Sequence, residues 1–392
     1  MKSRILGSVA LVAASVLALS ACAGGDGGTG DDAPINIGSI NTISGPATFP
    51  EASAAAQAVF DRVNAEGGIN GHKIAYSAMD DKADPATATA SARELVSEKN
   101  VVALVGSASL LDCEINAQYF ENEGVRSIPG IGVDPGCFNS PNIAPANIGP
   151  FNDTTATLYY GSEVLGLEKI CVLTSVIGST GPAYDAAISR WTELTGKSPL
   201  YVDDTLPSGG GDYTSYIVKA KQEGCDAIAS NAVEPDAIAQ VNAAAQQGWD
   251  DVTFLMLTAI YSESFAGAVS NAAGGIYVPA EFFPFTDESD VNADWKSLME
   301  ANDITLTSFS QGGYLAATFF VEVLKSIDGD ITRDSVNAAL SAMAPIENPM
   351  IAFPYQFDKI AAQDYTPGGW PVVLKSGTNA WERAADDWLL LS

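Results

Sequence analysis

The fifty residues from Ile35 to Pro85 constrain this chain more than any other stretch. An apolar strand, Ile35-Asn36-Ile37-Gly38-Ser39-Ile40, runs into the turn Ser44-Gly45-Pro46. A helix-patterned segment follows, with Phe49, Ala56, Val59, Phe60 and Val63 on one face. Gly67, Gly68 and Gly71 mark the end of that helix and the turn into a second strand, Lys73 to Met79, which leads to Asp80-Asp81-Lys82-Ala83-Asp84-Pro85. Two strands with a helix between them pair in parallel through a right-handed crossover. The Ser44 turn then falls at the carboxyl end of the first strand, the edge at which open α/β sheets take ligands.

The alternation continues. Val101 to Val105 reads as a buried strand ending in Gly106-Ser107-Ala108-Ser109, and Val125 to Pro129 as another ending in Gly130-Ile131-Gly132-Val133-Asp134-Pro135. Both loops join the Ser44 turn at one sheet edge, where glycine-flanked amides and small hydroxyls suit an anion or carbonyl group. Around Asn147 to Asp153 the chain crosses into a second lobe. There strands Lys169–Thr174, Leu200–Thr205, Asp226–Ser230 and Thr253–Leu257 alternate with helices. A strand from Gly274 to Val278 precedes a second crossing at Phe282-Phe283-Pro284-Phe285. Helices Val291–Ala301, Gln311–Ile327 and Thr332–Ala342 then pack on the first lobe, and a third crossing near Ala352 to Phe357 returns the tail to the second. The predicted fold is α/β, with two doubly wound parallel-sheet lobes: 35–150 plus 280–352, and 151–279 plus 353–392.

The order S-G-P, a long Ala-rich helix, N-A-x-G-G-I-x-G (Asn64 to Gly71) and D-D-x-x-D-P (Asp80 to Pro85) resembles the start of the type I solute-binding proteins of ABC importers. Within these, the Leu/Ile/Val (branched-chain amino acid) binding group is the nearest, and the similarity continues more weakly through some 300 further residues. The resemblance implies a periplasmic binding protein-like I fold with a three-stranded hinge. It implies a small-molecule solute held between the lobes, ABC permease subunits as partners, a monomer and no cofactor.

Residues 1–21 read as an export signal: Lys2 and Arg4 precede an apolar run from Ile5 to Leu19, too short for a stable membrane span. Leu19-Ser20-Ala21-Cys22 is similar to a bacterial lipobox, which implies that Cys22 carries lipid and moors the protein to the outer face of the cell membrane. Residues 22–34, Gly-rich and acidic, form the tether. Gly25 to Gly30 matches G-x-G-x-x-G, but no strand precedes it, so a dinucleotide site is rejected. The formal net charge is −29, and removing the signal takes away two more positive charges and no acid. Such a chain is repelled by nucleic acid and by anionic lipid.

Four cysteines remain in an oxidising compartment, and three pairings are possible. The fold reading favours Cys113–Cys137, at one sheet end of the first lobe, and Cys171–Cys225, at the start of neighbouring strands in the second. There is no C-x-x-C, and the single histidine, His72, sits in a turn, so no zinc site is expected. With no G-x-S-x-G, Walker A or H-E-x-x-H, no enzyme is expected either.

Carried across position by position, the resemblance puts Ser44 and Phe49, then Ser107, Ala108, Ser109 and Leu110, then Ile131, Gly132 and Val133 on first-lobe ligand loops. The second-lobe counterparts are Gly178 and Ser179, Val233 and Glu234, and Ala259 and Tyr261. Two positions depart from the amino-acid pattern. Leu110, with Ser109 beside it, stands where relatives use a serine for the ligand carboxylate, and Ala259 stands where they use an acid for the ammonium. Glu234 or Glu263 is the expected replacement for that acid, since a buried ammonium without a carboxylate is costly. The expected solute is therefore a branched-chain amino acid or a related amide, urea-like or aromatic compound. Phe49, Tyr261, Phe282 and Phe283 are candidates for an aromatic lining. An exported ligand sensor that signals to a partner is the alternative.

Overall fold

The computed structural model describes residues 33–45, 47–269, 274–375 and 377–392. The signal and Cys22 lie outside the described residues, as does most of the tether. The first sheet is all parallel. β1 (Ile35–Asn41) pairs along its length with β2 (Ile74–Asp80), from Ile35 opposite Ile74 to Asn41 opposite Asp80. β3 (Ala103–Val105) takes the other side of β1, and β4 (Ser127–Ile128) follows, giving the order β2-β1-β3-β4. The Pro50–Ala65 helix covers one face, opening on proline and burying Ala52, Ala55, Ala56, Val59, Phe60 and Val63.

The Ser308–Lys325 helix packs closely through two glycines, Gly313 against Pro50–Ala65 and Gly312 against the loop after β4. A Cβ at Gly313 would overlap the Ala52 carbonyl oxygen, and one at Gly312 would overlap that of Gly130. Only a residue without a side chain allows this approach. Thr307 and Ser310 form a reciprocal cap that starts the helix.

In the second sheet β5 (Ile170–Leu173), β6 (Tyr201–Asp203), β7 (Ala227–Ser230), β8 (Thr253–Met256) and β9 (Ile276–Ala280) are parallel. β10 (Gly368–Leu374) then adds antiparallel to β9, and the short strands β11 (Trp381–Arg383) and β12 (Leu389–Leu390) pair antiparallel with β10. This sheet is therefore mixed, where the sequence predicts a parallel one. Between β9 and β10 the chain makes a long excursion over the first sheet, so no single crossover helix dictates the direction in which β10 enters.

Three crossings lie side by side between the sheets. Asn147 Nδ2 donates to Glu281 Oε1 at 2.8 Å, Phe283 N to Met350 O at 2.9 Å, and Tyr355 Oη to Ala144 O at 2.7 Å. These bonds tie the first crossing to the second, the second to the third and the third to the first. Each sheet's flank carries one disulfide, Cys113–Cys137 (Cα–Cα 5.0 Å) and Cys171–Cys225 (Cα–Cα 5.9 Å). Among the described residues no helix is long and apolar enough to cross a membrane.

Candidate functional site

The carboxyl ends of the two sheets face each other across a cavity of about 100 Å³. Phe49, Leu110, Ile131, Gly132, Val133 and Phe309 line it from the first lobe, an almost wholly apolar wall. The second lobe supplies Ser175, Thr180, Tyr184, Ser208, Asn231 and Thr258, with Ile177, Val233, Leu257 and Ala259 between them. The crossings supply the floor: Asn147, Pro150, Asp153 and Glu281. Phe49 and Phe309 stack at 4.6 Å with ring planes 10° apart. Both rings also border a second cavity of about 240 Å³, lined by Glu51, Glu234, Tyr261 and Ser262 among others, so the stack separates an inner chamber from a vestibule.

Local structure explains these positions. Asn41 Oδ1 accepts from Ala108 N at 2.9 Å and Ile131 N donates to Ser107 O at 3.2 Å, which prolongs the sheet order into the loops and presents Leu110, Ile131 and Val133 together. Asn147 grips Gly132 on both sides, accepting from its N at 2.7 Å and donating to its carbonyl at 3.1 Å. In the second lobe Asn231 holds the Ser175 backbone in the same way, with both bonds at 2.9 Å.

The two acids of the floor are the most strongly perturbed groups in the cavity wall. Asp153 and Glu281 are 0 % and 2 % exposed. Asp153 Oδ2 accepts from Thr258 N at 2.8 Å, and Glu281 Oε1 accepts from Asn147 Nδ2 at 2.8 Å and Gly149 N at 2.7 Å. The other oxygen of each, Asp153 Oδ1 and Glu281 Oε2, accepts from no described group. Burial pushes both carboxyls above the usual range, and the charge of Glu281 pushes Asp153 further. Burial also raises Tyr184, to about 12. Among the described residues no lysine, arginine or histidine lines the chamber.

The predicted residues divide. Phe49, Leu110, Ile131, Gly132, Val133, Val233 and Ala259 line the inner chamber; Glu234 and Tyr261 line only the vestibule. The remaining predicted residues line neither. Ser44 is exposed and donates to Asp80 at 2.6 Å. Ser107 Oγ accepts from Ile40 N at 3.1 Å, and Ala108 is buried in the prolonged sheet. Ser109 donates to Asp81 and accepts from the amides of Leu111 and Asp112, so its hydroxyl is fully used where the Asp112–Asn122 helix begins. Gly178 lies across the rim from Glu114, and Ser179 borders a separate cavity beside Phe138 and Phe151. Glu263 is exposed, while Phe282 and Phe283 are core.

The expected acid in the cleft is therefore neither Glu234, which accepts from Ser262 Oγ at 2.6 Å in the vestibule, nor Glu263. The acids that line the inner chamber are Asp153 and Glu281. Glu281 carried a usable signal, as the one acid in the apolar run Val278–Phe283; Phe309 carried none. The Cys113, Asp134 and Cys137 cluster is compact enough for a metal, but both sulfurs belong to the disulfide.

Two α/β lobes thus enclose a chamber from both sides, with the three crossings as its floor. The sequence profile described as "Periplasmic binding protein" matches residues 34–368. An "Amino acid binding protein" of Pseudomonas aeruginosa is 26% identical over 336 residues, covering 80% of this chain and 83% of the relative. A "Leu/Ile/Val-binding protein homolog 7" of Brucella abortus is 23% identical over 366 residues, covering 88% and 89%. Among solved structures, the LivJ substrate-binding protein of Streptococcus pneumoniae in complex with isoleucine superposes with a TM-score of 0.74 at 18% identity, over 91% of this chain and 99% of that one. An ABC-transporter solute-binding protein of R. palustris with 4-hydroxybenzoate gives 0.73 at 17%, over 91% and 97%. The chain belongs to the periplasmic binding protein family, and its fold is that family's two-lobed type I form.

Proposed function

We propose that this protein is an extracytoplasmic receptor that captures a small amphipathic solute between its lobes and delivers it to an ABC importer. The lobes are 35–150 plus 280–352 and 151–279 plus 353–392, and closing them about the three crossings buries the solute from both sides. Anchoring through lipid on Cys22 would keep the receptor at the outer face of the membrane, beside its permease. The inner chamber carries the reading: it is walled by both lobes and floored by the hinge, so an occupant is in contact with every part that must move. The relatives are named for amino acids, and one structural neighbour holds an aromatic acid, which keeps branched-chain and aromatic solutes in range.

A thermal-shift screen of amino acids, amides, amines and aromatic acids tests it, because a ligand that binds only the folded state raises its stability with concentration over Kd. A hit is expected to disappear in Leu110→Trp and in Val233→Trp, one obstruction from each lobe. Stabilisation that survives both substitutions would place the solute elsewhere.

A further inference from the structure

We propose that the inner chamber selects a cationic amphipathic solute, a protonated amine with an apolar body and no carboxylate, whose charge is held between Asp153 and Glu281. This rests on the chamber being the solute site, and it narrows the solute to one charge class. Three observations carry it. First, each acid is almost wholly buried, lines the chamber and keeps one oxygen without a hydrogen-bond partner. A buried carboxylate with an open acceptor is costly, and an N–H donor arriving with positive charge removes that cost. Second, no lysine, arginine or histidine among the lining residues competes for the pair. Third, the first-lobe side chains Phe49, Leu110, Ile131, Val133 and Phe309 offer a ligand carboxylate no donor. Ser109 is engaged with Asp81, and the amides of Leu110, Ile131 and Gly132 donate to Thr42 Oγ1, Ser107 O and Asn147 Oδ1.

A bare metal ion fits poorly. Hard cations take six or more oxygens, whereas the first-lobe wall opposite the acids is hydrocarbon. An amine with an aliphatic or aromatic body satisfies both sides. Because Glu281 also bonds Asn147 and Gly149 of the first crossing, the bound charge sits on the hinge itself.

Calorimetric titration with matched probes tests the charge class: 3-methylbutylamine, 3-methylbutanamide, 3-methylbutanoate and leucine, then 2-phenylethylamine, phenylacetamide, 4-hydroxybenzoate and phenylalanine. In one set or both, the amine is expected to bind at least about 100-fold more tightly than its amide. Glu281→Gln and Asp153→Asn are each expected to weaken the amine about tenfold or more and to narrow its advantage over the matched amide. An amide, acid or zwitterion that binds more tightly than its matched amine in both sets overturns the proposal, as does amine binding indifferent to both substitutions. If such a solute still loses binding in Leu110→Trp, the cleft remains the solute site and only the charge class is wrong. If no probe binds more tightly as an amine, the charge class is likewise overturned.

Discussion

The two sides of the chamber are built from similar sheets and similar loops, yet they offer a solute opposite surfaces. The first lobe presents Phe49, Leu110, Ile131, Val133 and Phe309, and turns its hydroxyls inward: Ser107 to the Ile40 amide, Ser109 to Asp81. The second lobe and the hinge present hydroxyls, amides and two acids. A loop rich in serine is therefore not by itself a polar grip. In the first lobe those hydroxyls hold the loop together, and that leaves the exposed wall to the apolar neighbours.

The comparison can be broken in graded steps. The lobes carry one crosslink each, and the loop closed by Cys171–Cys225 (54 residues apart) is longer than that closed by Cys113–Cys137 (24). On loop entropy, the Ala pair replacing the first should cost about 4 kcal/mol and that replacing the second about 3.5 kcal/mol in urea unfolding. A larger loss from Cys113–Cys137 would show that the small first sheet depends on its crosslink more than loop length implies.

Next, Phe49→Ala is expected to lower stability by about 3 kcal/mol and to merge chamber with vestibule, whereas Ser208→Ala in the opposite wall should stay within about 0.5 kcal/mol. Equal effects would contradict the division into a packed wall and a solvated one.

The acid pair makes a pH prediction. Burial raises Glu281 from 4.5 to about 7, so the native state holds a proton that the unfolded chain has released. The contribution of the pair is fully present below about pH 4.5 and is lost as pH rises through about 7. The groups facing Glu281 are Asp153 and Tyr365, and Tyr184 faces Asp153 in turn; none of them is cationic. Solute-free protein should therefore unfold at lower urea at pH 8 than at pH 5, and Glu281→Gln should flatten that slope. For a cationic solute the sign reverses, and affinity rises over the same interval as the pair releases its proton. Last, Ser109→Ala should cost about 1–2 kcal/mol of stability with solute affinity unchanged; a tenfold loss of affinity would return the serine to the site.

Much of this was legible in the residues. The strands of both lobes follow apolar runs bounded by glycine, and the first crossing falls where the pattern restarts, after Asn147. The cysteine pairing follows once β5 and β7 are neighbours. The C-terminal strands β11 and β12 escaped because three and two residues carry no periodicity. The site was harder for a physical reason. Spacing locates a loop at a sheet edge but not which of its side chains turns toward the gap, so Leu110 and Ser109 are indistinguishable until their partners are known. Asp153 and Glu281 sit on crossing segments, where an acid reads as solvated hinge until burial is seen.

A crystal structure with the tightest-binding probe of the matched series tests the central claim most directly. The account predicts density between the lobes, a nitrogen about 2.7–3.0 Å from Asp153 Oδ1 and Glu281 Oε2, and the apolar body against Phe49 and Leu110. Density outside the chamber, or a carboxylate seated on the Ser107–Leu110 loop, would contradict it.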